Sequence, residues 1–303
     1  MADPREKFPW MGFIILAIIL VAAAGGGYYA LTQTVLKPKP APNPLIVKEG
    51  DNVTVNYVGI FGSGIDQGKV FDTSLLSVAR DNSTWPKALS FSFRGASGYT
   101  PLKAHVGPQS FGSYTSLISG FWTAMVGLTG NQTITTVIPP KQGYGLPDLS
   151  KIQSFPLTQS VPMLHFYTPS EFSSTYSGVA VQPGVFTDPH WGWNDTVLSV
   201  NATTVVVEYT PTVGEQIHPL GWTDTVTAVS NTIGPLGTIS YVNDLTPQDV
   251  GQVQGTDWQS SNQQYYLTGV STDAGTYTLD FNSEVTGQTL IFEITVVDIL
   301  PPH

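Results

Sequence analysis

The 303-residue chain contains no cysteine. Disulfides and thiolate metal sites are therefore excluded. Charge is also sparse: Asp, Glu, Lys and Arg make up only 11% of residues, and 22 acidic against 12 basic residues leave a net charge of -10. Such a chain lacks the basic surface that nucleic acid selects, so no nucleic-acid partner is expected. The five histidines, at 105, 165, 190, 218 and 303, show no metal-ligand spacing. No metal and no other cofactor is expected. What remains is 41% hydrophobic and 11% aromatic residues, enough to fill a sizeable core, so the composition is not that of a disordered chain. The length allows about two domains. A sparsely charged exterior suits an acidic extracellular medium, where few carboxylates titrate.

One long uncharged run stands near the N-terminus. Residues 8–32 carry no charge, and 12–24 are strongly apolar. About 20 apolar residues cross a bilayer. Trp10 and Tyr28-Tyr29 suit the two interfacial belts. We assign residues 1–36 as a transmembrane anchor, the rival being a signal peptide cleaved near Ala22-Ala23-Ala24. Asp3 and Glu6 offset Arg5 and Lys7, which argues against the signal peptide. Lys37-Pro-Lys-Pro-Ala-Pro-Asn-Pro44 forms a semi-rigid stalk. Five Asn-x-Ser/Thr sequons, at Asn52, Asn82, Asn131, Asn194 and Asn201, are candidate N-glycosylation sites, with chance occurrence as the alternative. A short N-terminal tail and these sequons place the bulk of the chain outside the cell, at a single-pass membrane.

Beyond the stalk the periodicities are those of strands. Residues 45–49 read as a short strand. In residues 52–58, Val53, Val55 and Tyr57 share one face, and Asn52, Thr54 and Asn56 the other. Residues 69–73 and 89–93 read as further strands. Residues 116–127 form the best helix candidate, capped by Ser116 or Ser119 and ended by Gly127. Residues 131–138 form a strand that Pro139-Pro140 terminates. In the last strand Leu290, Phe292, Ile294 and Val296 share a face. These elements predict an α+β fold, a twisted antiparallel sheet wrapped on one short helix.

Four segments together carry a family likeness. They are Val53-Thr54-Val55-Asn56-Tyr57-Val58-Gly59, Val70-Phe71-Asp72, Gly120-Phe121-Trp122 running on to Tyr144-Gly145, and Gly287-Gln288-Thr289-Leu290-Ile291-Phe292. In this order they resemble the FKBP-type peptidyl-prolyl cis-trans isomerases, and the phenylalanine at 121 is similar to the SlyD-like branch. The resemblance covers roughly residues 47–144 and 280–299. It implies a shallow aromatic pocket between helix and sheet, built from Tyr57, Phe71, Asp72, Phe91, Leu117, Ile118, Phe121, Tyr144 and Phe292. For Phe91 the register is open to Leu89 or Phe93. Arg80 is the nearest candidate for the family's pocket-edge arginine. An inward aromatic on a strand is ordinarily core; the whole set in order is what points to a pocket. Asp72 needs a hydrogen-bond partner, and Tyr57 is the expected one.

The same resemblance makes residues 45–145 the first part of one domain and 280–303 its final strand. Residues 146–279 are then an insert in the flap, longer than that branch's usual one, and 282–287 match its return loosely. The insert reads as β-rich, with a helical turn at Pro247-Gln248-Asp249-Val250. Val205, Val207, Tyr209 and Val213 recur as Tyr277, Leu279, Phe281 and Val285 at a constant spacing of 72, and residues 222–226 echo 294–297. This is either a duplicated unit or a coincidence of alternating strands. Met163, Leu164, Phe166, Tyr167, Phe172, Tyr176, Trp191 and Trp193 are either the insert's core or a surface for unfolded chains. The function implied is a membrane-anchored prolyl isomerase with a chaperone-like insert, acting on proline-containing or unfolded exported polypeptides. The alternatives are a non-catalytic chaperone or scaffold, and a structural surface protein on the same fold.

Overall fold

A computed structural model describes residues 44–257 and 263–301. The candidate anchor and nearly all of the stalk lie outside these residues. Among the described residues no helix is long and apolar enough to cross a membrane.

The chain opens with β1 (Asn52–Phe61), β2 (Val70–Thr73), the one-turn helix α1 (Leu76–Arg80), β3 (Leu102–His105), β4 (Thr115–Ser116), α2 (Ser119–Met125) and β5 (Thr133–Ile138). Twelve strands follow: β6 (Ile152–Pro156), β7 (Thr158–Pro162), β8 (Leu164–Tyr167), β9 (Gly184–Thr187), β10 (Asn194–Val200), β11 (Val205–Tyr209), β12 (Gln216–Ile217), β13 (Asp224–Ser230), β14 (Thr238–Asn243), β15 (Gln254–Asp257), β16 (Gln263–Ser271) and β17 (Thr276–Asp280). Helix α3 (Pro169–Tyr176) lies between β8 and β9, and β18 (Leu290–Leu300) closes the chain. The result is mostly sheet with few helices, compatible with an FKBP-like α+β fold.

The first sheet has the order β4-β3-β1-β18-β5, with β2 paired to β1. The last strand of the chain thus sits between the first and the fifth. The alternation in β1 and β18 is what seats them there. Val53, Val55, Tyr57, Leu290, Phe292, Ile294 and Val296 all point into one core, against Phe121 and Met125 of α2. Gly120 lets the helix approach β5, since a Cβ there would stand 2.5 Å from the Ile138 side chain.

Three expectations need correction here. The short strand expected at 45–49 is a single bridge from Ile46 to Thr129. Neither serine caps α2: Ile118 is the N-cap, its carbonyl accepting from the Phe121 amide at 2.9 Å, and Ser116 lies on β4. Residues 89–93 form no strand. The chain leaves β2's neighbourhood after Ala88 and returns to the sheet only at Leu102.

The remaining strands make three four-stranded sheets, β8-β11-β10-β9, β7-β14-β13-β12 and β6-β17-β16-β15. These are one plan drawn three times and nested. In each, an opening strand pairs with the unit's last strand, which pairs with the one before it, which pairs with the one before that. The next copy lies between the opening strand and its own return; β6 and β7 are separated only by Leu157. Even the irregularity repeats. One bulge residue, Leu198, Thr227 or Thr268, interrupts the register of β10 on β11, β13 on β14 and β16 on β17. Val205, Ile239 and Tyr277 then occupy the same place, opposite Val200, Val229 and Val270. The spacing of 72 therefore links equivalent strands, β11 and β17. The echo of 222–226 in 294–297 does not, because β13 belongs to a nested unit and β18 to the first sheet. A sequence signal does mark the middle copy: Gly192-Trp193-Asn194-Asp195-Thr196-Val197 recurs as Gly221-Trp222-Thr223-Asp224-Thr225-Val226.

Of the eight aromatic and apolar residues singled out, Met163, Phe172, Trp191 and Trp193 are the buried core of the two inner sheets. Leu164, Tyr167 and Tyr176 are half-buried, and Phe166 alone is exposed. The expected turn at 247–250 is a 3₁₀ turn, Pro247–Asp249, closed by a capping box from Thr246.

Candidate active site

A cavity of about 300 Å³ opens between α2 and the first sheet. Its floor is a cluster of edge-to-face rings. Phe121 and Phe292 lie 5.0 Å apart at 83°, Phe71 and Phe292 5.5 Å at 88°, and Tyr57 and Phe121 5.9 Å at 85°. Such contacts stabilise by about 0.5–1.5 kcal/mol beyond burial, so they fix the walls as well as fill them. Gly59 makes the arrangement possible. A Cβ there would meet Phe71 at 2.6 Å and Phe292 at 2.9 Å, so the rings lie across bare backbone on β1.

One rim is polar. The Tyr57 hydroxyl donates to Asp72 Oδ2 at 2.5 Å, and the Thr73 amide donates to Asp72 Oδ1 at 2.8 Å. The Arg94 guanidinium lies 3.2 Å from the same Oδ1 and also donates to the Thr73 carbonyl. Arg94 is held from outside by Tyr99, whose ring centroid is 5.1 Å away. Burial and the Asp72 carboxylate push the Tyr57 and Tyr144 hydroxyls above the ordinary tyrosine range, so both remain proton donors. Tyr144, half exposed, stands on the lip with Leu117 and Ile118.

Eight of the nine sequence-derived residues line this one cavity: Tyr57, Phe71, Asp72, Leu117, Ile118, Phe121, Tyr144 and Phe292. Phe91 does not. It packs with Trp85 on the separate cluster of Val58, Val70 and Val78, beneath Lys87. The alternative registers fail as well: Phe93 is exposed and stacks on Tyr99, and Leu89 lines a different, smaller cavity. The place belongs to Leu102 of β3. Its signal is the alternation Leu102-Lys103-Ala104-His105 after Pro101, which is short and half polar. The pocket-edge arginine is Arg94, not Arg80, which ends α1 away from the cavity. Nothing in the spacing marks Arg94, because a loop carries it back to Asp72. Among the described residues no three His, Asp or Glu side chains are grouped to hold a metal ion.

No protein-family model matches the chain. A curated protein from Methanocaldococcus jannaschii, a short-type peptidyl-prolyl cis-trans isomerase, is 34% identical over 111 residues. The match covers 37% of this chain and 59% of that relative. This chain thus resembles part of a prolyl isomerase, over a stretch shorter than either protein.

Proposed function

We propose that the chain is an FKBP-type peptidyl-prolyl cis-trans isomerase of the SlyD-like kind, carried on a membrane anchor, with a chaperone-like insert at residues 146–279. The observation that carries the catalytic part is the closed set of rings, Tyr57, Phe71, Phe121 and Phe292, with one polar rim at Asp72. The partial relative's activity points the same way.

Rotation about an X–Pro amide faces a barrier of about 18–20 kcal/mol and takes tens of seconds or more unaided. No bond is broken, so neither a nucleophile nor a general acid–base pair is required. The site has only to bind the twisted amide better than either planar form. Twisting localises the nitrogen lone pair and lessens charge separation, which an apolar, water-poor cavity favours. In this reading Phe71, Leu102, Ile118, Phe121 and Phe292 seat the proline ring. The Ile118 amide and the Tyr144 hydroxyl bind substrate carbonyls. Asp72, held by Tyr57 and Arg94, fixes the polar edge.

The insert's role as a holder of unfolded exported chains is supported by the apolar residues that the innermost unit leaves exposed, Phe166, Val179, Val181, Val185 and Leu198. Capture there raises the local concentration of proline bonds near the cavity without changing the chemical step. N-glycans at Asn82, Asn131, Asn194 and Asn201 suit the exposure of those side chains, whereas Asn52 is half-buried on β1 and bonded to His105 at 2.8 Å.

A protease-coupled proline-peptide assay on residues 46–303 tests the reading. Acceleration over the uncatalysed rate is expected. Well-folded protein that gives only the uncatalysed rate would overturn it, leaving the scaffold alternative. Replacing residues 146–279 by a short turn should spare tetrapeptide turnover and sharply reduce acceleration of a proline-limited protein refolding. Equal loss on both substrates would mean that the insert helps build the cavity.

A further inference from the structure

All 12 Lys and Arg residues lie at or before Lys151. From 152 to 303 there are fourteen Asp and Glu and not one Lys or Arg. The nested sheets therefore have no lysine or arginine with which to neutralise a buried carboxylate. Yet three carboxyls are buried in them: Asp188, which accepts from the His190 and Trp191 amides at 2.7 and 2.8 Å, and two, Asp195 and Asp224, that stand at the same place in two copies. Asp195 is the second residue of β10 and Asp224 the first of β13, each two residues after a buried tryptophan in the repeated Gly-Trp-x-Asp-Thr-Val. Both are 0% exposed.

Their surroundings are hydroxyls, rings and further acids. Asp195 Oδ2 accepts from the Tyr176 hydroxyl of α3 at 2.7 Å, while Oδ1 is enclosed without a hydrogen-bond partner, near the Trp193 indole, which favours the charged form less than burial disfavours it. Facing it are Asp188 from the β9–β10 turn, Tyr209 of β11 and, through Tyr176, Tyr167 of β8. His165, stacked 3.9 Å from Tyr209, has its own proton affinity lowered by burial. Both oxygens of Asp224 are enclosed without a hydrogen-bond partner; the Trp222 indole lies close enough to favour the charged form a little, but it donates to Asn243 at 2.9 Å. Around it stand Asp244, Tyr241 of β14, Tyr265 of β16 and Tyr277 of β17, with His218 one residue removed, bonded to Thr223. The third copy has no such carboxyl. Tyr265 takes the place, fully buried, its hydroxyl on the Leu220 carbonyl.

We propose that the two inner units of the insert are an acid-favoured device: Asp195 and Asp224 are held as neutral carboxyls in the folded sheets, and a rise in pH loosens these units while leaving the first sheet firm. An isolated carboxylate buried without a cation is too costly to keep, so the group stays protonated or the site opens. Burial raises Asp195 to about 8 and Asp224 to about 7. A carboxyl whose folded value is raised binds its proton more tightly in the folded chain than in the unfolded one. Its contribution is therefore full below about 4, the unfolded value, and is lost progressively up to the folded value. Over that window each carboxyl raises the unfolding equilibrium constant by up to about tenfold per pH unit.

The test is denaturant unfolding of the whole protein between pH 4 and pH 8, with hydrogen exchange read separately in β10, β13, β1 and β18. In the wild type, β10 and β13 should lose protection as pH rises, beyond the intrinsic change in exchange rate that β1 and β18 report. Asp195→Asn and Asp224→Asn, the neutral isosteres, should each flatten the slope. Unchanged slopes in both variants would overturn the proposal. Should a variant fail to fold, the wild type still decides. Infrared absorption from protonated carboxyls at pH 6 is expected to contain a component that Asp195→Asn and Asp224→Asn each diminish, apart from any contribution of Glu284, which burial also raises. Its absence would also overturn the proposal.

Discussion

Asp72 and Asp195 each accept a hydrogen bond from a tyrosine hydroxyl, at 2.5 and 2.7 Å, yet they sit in opposite settings. Asp72 is partly open to solvent and is met by Arg94 and a backbone amide. Asp195 is sealed beneath α3, with a second acid nearby and no lysine or arginine from residue 152 onward. The first sheet thus leaves its carboxyl at a cavity rim, beside a guanidinium. The nested sheets bury the same group where only its neutral form is tolerated. The same donor and acceptor pair stands at an open rim in one region and in a sealed core in the other. Burial and the supply of cations decide between these outcomes.

The largest effect that separates the regions comes from their rings. Phe292→Ala and Trp193→Ala each remove a buried aromatic, at a cost of about 3–5 kcal/mol. By calorimetry Phe292→Ala should destabilise the first sheet and abolish peptide turnover. Trp193→Ala should melt the inner units at lower temperature and leave turnover on a tetrapeptide intact. If Trp193→Ala silences the tetrapeptide reaction, the two regions are not separable and the comparison fails.

A smaller effect sharpens the rim. Asp72→Ala combined with Tyr144→Phe should lower kcat/KM between about ten- and a hundredfold, the loss of hydrogen bonds that involve a charged group. Circular dichroism should show the fold preserved. An unaltered rate with both changes in place would remove Asp72 and Tyr144 from the site.

The smallest effect is at Arg94. Its pair with Asp72 is more than a third exposed, so Arg94→Leu should cost at most about 1 kcal/mol of stability. Peptide kinetics should show a shift of under about fivefold, within the same energy range. A loss as large as that of the Asp72 double variant would mean that the guanidinium touches the substrate directly.

Alternation by itself determined much of this protein. Val53, Val55 and Tyr57, and Leu290, Phe292, Ile294 and Val296, are spaced so that one face of each strand must be buried, and both strands take that place. That Tyr57, Phe71, Asp72, Phe121, Tyr144 and Phe292 share one cavity is what the resemblance to the FKBP-type isomerases implies, and the cavity forms because each sits on or next to a regular element whose direction the local pattern sets. Where an irregular loop intervenes, that logic has no hold. Phe91 looked like a strand residue, but its chain had already left the sheet, and Leu102 and Arg94 reach the cavity only through the path of residues 89–101. The nesting was hidden for a related reason. Spacing along the chain reveals tandem copies, whereas here each copy is split around the next, and pairing across the gap joins β6 to β17 and β7 to β14. The repeated Gly-Trp-x-Asp-Thr-Val marks Asp195 and Asp224 as equivalent, but only the tertiary structure shows both sealed, because the elements that cover an aspartate on a strand come from distant parts of the chain.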